Sequence, residues 1–159
     1  MLYFIAQIFV SVAFLQSILQ QMSYYMGQEF HRRDRRRSHE PLHAREMGEV
    51  EYSYIQSLTT LKQDWSYRNT EAGLASSVAQ LNAWGQALDD EMKATVSALS
   101  DEDLAKTIER GSQGGAFPAP IEMQLDIYLQ ALLIFFGKVA IYLKAMNKPL
   151  PEDIQACIG

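Results

Sequence analysis

At 159 residues the chain has the size of one ordinary domain, long enough to bury roughly two-thirds of its unfolded surface around one core. A composition 48% hydrophobic and 21% charged excludes a disordered chain and a multi-spanning membrane protein. The net charge of -5 argues against nucleic acid as a partner of the whole molecule. The lone Cys157 excludes a disulfide framework and a cysteine-built zinc site, which fits a reducing, cytoplasmic setting.

The first element is apolar. From Met1 to Phe30 the only charged side chain is Glu29, and this stretch predicts a helix over about residues 2–28. A membrane span needs about 20 predominantly apolar residues, whereas Gln7, Ser11, Gln16 and Ser17 interrupt this one. A secretory signal carries its basic residues ahead of the apolar run, and here they follow it. The favoured reading is a buried helix, with a membrane anchor through residues 1–20 and a cleaved signal as alternatives. The basic run that follows holds Arg32, Arg33, Arg35, Arg36 and Arg37, a patch that could grip phosphates or anionic lipid. No aromatic residue interleaves it, so it reads first as a solvated interhelical loop.

A second helix is predicted over about 41–66, where His43, Met47, Val50, Tyr54, Leu58, Leu61 and Trp65 recur at spacings of three and four. Arg45, Glu49, Gln56 and Gln63 are placed opposite that stripe. A third runs over about 71–99 behind Thr70 as N-cap, with Leu74, Val78, Leu81, Leu88, Met92, Val96 and Leu99 inward and Asp89, Asp90 and Lys93 outside. Ser100 and the acidic residues after it predict a short helix over about 101–109. The stretch GSQGGAFPAP at 111–120 reads as a loop, and without a following Lys and Ser/Thr its glycines make no phosphate cradle. The last helix is predicted over about 119–147, its deepest positions being Ala131, Phe135 and Tyr142, opposite Glu122, Asp126, Gln130 and Lys144. Four long amphipathic helices without strand-like alternation predict an all-α fold, a four-helix bundle in one domain over 1–159.

The segment ALLIFFGKVAIYLKAMNKPLP from Ala131 to Pro151 resembles the end of proteins of the DinB/YfiT-like superfamily, with Gly137, Lys138, Tyr142 and Leu143 in the family frame. EMGEVEYSYIQSL from Glu46 to Leu58 resembles the family's second helix, Glu51 matching its glutamate, and SDEDL at Ser100–Leu104 is similar to the element before its last loop. The resemblance implies a four-helix bundle. It also implies a divalent metal held by one histidine of the second helix and two of the fourth, often with a thiol co-substrate. In this sequence those three positions fall on Glu46, Ala131 and Phe135, so the resemblance implies a metal site that has been lost. His31, His39 and His43 all lie too early in the chain to replace it.

No catalytic residue, metal or cofactor is assigned on these grounds. His43, Glu46, Glu49 and Lys138 form a candidate pocket; a histidine packed near a helix start and a snorkelling lysine are the simpler explanations. Cys157 has no partner in sequence to depress its pKa. The expectation is a metal-free bundle that binds a small apolar ligand or a protein, a homodimer included. The alternatives are a thiol-dependent transferase or hydrolase with a rebuilt site, and a membrane-tethered adaptor using the N-terminal segment.

Overall fold

The computed structural model describes residues 40–74, 77–111, 117–145 and 147–150, and over 40–44 the backbone alone. The segment expected as a first helix, the arginine patch, His31, His39 and Cys157 lie outside the described residues. The rest is mostly helical, in chain order α1 (Glu40–Thr60), α2 (Val78–Ser97), α3 (Asp101–Leu104), β1 (Thr107–Ile108), β2 (Ala119–Pro120) and α4 (Ile121–Ala145).

Helix α1 carries Pro41 in its first turn, where a missing N–H costs nothing. It stops six residues short of the expected 66. Thr59 and Thr60 turn their hydroxyls back onto the Gln56 carbonyl at 3.1 and 2.7 Å, and Leu61 then adopts a left-handed backbone with φ 58°. Beyond Leu61 the chain leaves the helix and returns along α1 as far as Glu49. Ser53 Oγ donates to the Asp64 carbonyl, Tyr67 stacks on Tyr52 with centroids 3.9 Å apart, and the Asn69 N–H donates to Glu49 at 3.1 Å. This segment is what the helical periodicity of Leu58, Leu61 and Trp65 concealed.

The third predicted helix also begins later than expected. Gly73, at φ 86°, breaks the chain after Thr70, and Ser77 is the N-cap, accepting from the Gln80 N–H at 3.3 Å. With the chain carried back along α1 to Glu49, α2 runs parallel to α1: Gly48 lies against Trp84, and three residues on along α1, Glu51 is near Asp89. Ser100 builds a capping box with Asp103, as its sequence implies, but α3 ends at Leu104 instead of 109. Residues 107–108 instead pair antiparallel with 119–120, and the Leu61–Gln63 backbone bonds Glu109 at 2.9 and 2.7 Å. The described residues are mostly helical, in keeping with the all-α expectation, and carry in addition one small two-stranded sheet.

That sheet launches α4, whose Ile121 N–H donates to the Lys106 carbonyl at 2.9 Å. Helix α4 ends in a Schellman turn: Lys148 N–H reaches Leu143 O and Asn147 N–H reaches Lys144 O, with Asn147 left-handed at φ 54°. Its partners on α1 descend in number as its own rise, Ser57 meeting Gln124 and Glu51 meeting Tyr128, so α4 is antiparallel to α1. The core lies among α1, α2, β1 and α4, around Ile55, Met92, Ile108, Tyr128 and Leu132, none with any exposed surface. Burying side chains of this size supplies about 1.5–3 kcal/mol each.

The phase expected for α4 needs correction. Phe135 is buried, but Ala131 is only half-buried and Tyr142 is 42% exposed. The buried stripe runs through Leu125, Tyr128, Leu132, Val139 and Leu143, roughly 75° round the helix from the expected centre.

Candidate functional site

Three helices bring polar groups to one place in this core. Glu51 of α1 and Asp89 of α2 are both buried, close enough for the charge of one to act on the other. Tyr128 of α4, wholly buried, donates its hydroxyl to Glu51 Oε1 at 3.0 Å. Tyr54, one turn along α1, packs its ring on Tyr128 with centroids 4.9 Å apart. Burial first, and the nearby Asp89 charge second, push the Glu51 carboxyl well above its ordinary value, against smaller opposing effects of the Tyr128 hydroxyl and the Lys93 ammonium. Burial likewise raises the Tyr128 phenol, with Glu51 adding to the effect. Glu51 therefore holds its proton more tightly than a solvated carboxyl does, with the Tyr128 hydroxyl donating to it.

Asp89 was expected on the solvent side of its helix and is buried instead. The signal that could have found it is its place three residues before Met92 and seven before Val96, both inward. Glu51 stands in the same relation to Tyr54 and Leu58. Charge steers both residues to the outside in a hydropathy reading, whereas the helical spacing puts them inside.

Glu49 was also expected opposite the stripe, and it too is buried. Its carboxylate accepts from Arg45 Nε at 2.9 Å and from the Asn69 N–H, with Arg68 at 3.7 Å. It serves as the anchor that holds the returning segment to α1. Gln63, expected outside, is buried as well; Gln124 donates to it and to Ser57 Oγ, the latter at 3.1 Å, and Ser57 donates to the Tyr54 carbonyl.

The positions that the family resemblance implies are spread out. Glu46 is exposed on α1, Ala131 is half-buried, and Phe135 is packed in the core. Lys138 is exposed on α4, and His43 lies in the first turns of α1. Among the described residues no group of three or more His, Cys, Asp or Glu side chains gathers as a metal would need. No family model, no curated protein and no solved structure matches the chain.

The Glu51–Asp89–Tyr128 centre brings polar groups of three helices together in the core. Such a centre is expensive to bury, and a Glu51 carboxyl held in its neutral form lowers that cost.

Proposed function

We propose that this chain is a DinB/YfiT-like helical bundle that has lost the family's metal and acts as a small-ligand-binding or interaction protein without catalysis. The observation that carries the reading is the environment of the three positions at which the family places its ligands. Phe135 fills space in the core, Ala131 offers a methyl group, and only Glu46, on the outside of α1, has an atom that a cation could use. The antiparallel register of α1 and α4, with Ser57 against Gln124 and Glu51 against Tyr128, supports the bundle reading. Its four-helix form, the loss of metal and the cytoplasmic setting stand together as one proposal.

Elemental analysis of protein purified without chelator tests it: zinc, nickel and manganese should each stand well below one atom per chain. Adding any of them should leave the melting temperature where it was. Occupancy near one per chain, or a melting temperature that climbs with added metal, would return the chain to the metal-dependent enzymes.

A second reading, a membrane-associated adaptor, draws on α4, which is long and apolar enough to cross a bilayer by length and composition. Co-flotation of the full chain with anionic vesicles would favour it.

A further inference from the structure

The alternation that sets Ile108 wholly inside and Glu109 outside turns Arg110 back towards Tyr54 of α1, whose phenol its charge reaches. The Arg110 side chain is partly buried, and its Nε is buried without an acceptor. The ion pairs among the described residues join Arg45 and Arg68 to Glu49, Lys93 to Asp90 and Lys106 to Asp103, and none of them includes Arg110. Glu51 is not its partner either, since the cation acting on that carboxyl is Lys93. Gln63 and Gln124 also carry unmet buried atoms, but their amides are in contact and a small rotation can pair them. An unmet donor on a charged group is among the costlier things to bury. Aromatic rings surround it. Phe117 lies 5.9 Å from Arg110 Cζ and is 50% exposed, so this ring is open to solvent. Tyr54 packs edge-on against Trp65, centroids 5.6 Å apart, and burial raises its phenol while the Arg110 charge opposes this, so the hydroxyl keeps its proton and can donate.

We propose that Arg110 anchors a binding site for a small carboxylate with an aromatic or alkyl body, the guanidinium taking the carboxylate and the Phe117 ring the body. This rests on the ligand-binding part of the reading above and gives it a place and a ligand class; it does not depend on the loss of metal. Three properties select the class. A guanidinium fork matches a carboxylate through two parallel hydrogen bonds, and because no acceptor holds this one, it can turn to present Nε with Nη and so gain the partner it lacks. Arg110 is also the one cation acting on Tyr54, so the site balances a single negative charge and leaves a phosphate dianion half-compensated. An exposed phenyl ring, finally, adds affinity for an apolar body and none for an inorganic anion.

Titration of the full-length chain with benzoate, acetate, benzamide and inorganic phosphate tests the site, read by nitrogen NMR of the arginine side chains and by thermal melting. Benzoate should shift the Arg110 Nε–H resonance saturably and raise the melting temperature with concentration. Acetate, which has the charge without the ring, should bind at least about tenfold more weakly. Benzamide, which has the ring without the charge, should do neither. Arg110→Gln should weaken benzoate at least about tenfold. Should that variant fail to fold, Phe117→Ala decides: a loss of benzoate affinity with acetate unchanged upholds the proposal, and an equal loss of both, or of neither, overturns it. The proposal also falls if benzoate shows no saturable shift up to about 10 mM, or if Arg110→Gln folds and binds it undiminished. Phosphate binding as tightly as benzoate would mark an ordinary counterion, and benzamide binding as tightly would mark the ring alone; either result overturns it. Elemental analysis judges the metal-free reading separately, and none of these outcomes bears on it.

Discussion

Glu51 and Asp89 are buried near each other between α1 and α2, and this sets how the domain should respond to pH. The folded state holds the Glu51 proton more tightly than the unfolded chain, whose carboxyl titrates near 4.5. Stability from this group is therefore complete below pH 4.5 and declines as pH rises towards the higher folded value. Each pH unit in that window removes up to about 1.4 kcal/mol. Lys93, the nearest cation acting on Glu51, is half-buried and paired with Asp90 at 3.7 Å, so it relieves only part of this. Glu51→Gln keeps an acceptor for Tyr128 and cannot ionise. Its melting temperature should vary less between pH 5 and pH 8 than that of the wild type, and should exceed it at pH 8. A wild-type profile that rises across this range would mean that the pair is ionised and held by some other cation.

At the scale of elements, the contact between α1 and α2 depends on the absence of a side chain at Gly48. A Cβ there would lie 2.5 Å from the Trp84 ring, and the ring has to move to admit it. Gly48→Ala would gain helix propensity on an exposed surface; here it should lose about 1–3 kcal/mol in denaturant unfolding, with an unchanged m-value. The returning segment makes its own contribution, because Tyr67 stacks on Tyr52. A double-mutant cycle with alanine at both positions should give a coupling of about 0.5–1.5 kcal/mol. A coupling near zero would mean that Ser53 and Glu49 hold the segment without help from the stacked rings.

These same elements mark what the sequence made legible. Helical spacing located every long helix among the described residues, and Ser100 with Asp103 announced α3 correctly. Helix ends were harder to read, since Leu61 and Trp65 continue the apolar rhythm of α1 into a segment that is not helical, and Leu74 does the same ahead of α2. The sheet had no alternation to betray it, being two residues on each strand. Of the buried polar centre, Glu51 alone stood out, through its family match. Asp89 was assigned to solvent because charge outweighed its spacing from Met92 and Val96. The phase of α4 was set by all its apolar residues together, whereas the described neighbours bury only one flank of them.

For the whole molecule, the returning segment decides the topology. A short turn after α1 would have made α2 antiparallel to it; the returning chain from Leu61 to Asn69 delivers α2 parallel, and leaves α4 as the described helix that runs the other way. The contacts that fasten α4 to α1 are consequently remote in sequence: Gln124 is 61 residues from Gln63 and 67 from Ser57, and Tyr128 is 77 from Glu51. Chain-entropy loss has to be met before any of these contacts forms, so the hydrophobic centre cannot zip up from a local hairpin. Refolding in stopped-flow experiments should then take milliseconds or longer, slower than the microseconds open to helical proteins rich in local contacts. Weakening the strap by Tyr67→Ala should speed unfolding more than it slows folding if the segment docks after the barrier, and the two arms of the chevron report this directly. The stretch that looks in sequence like a continuation of one helix is thus a timing element, ordering the assembly of the chain as well as its path.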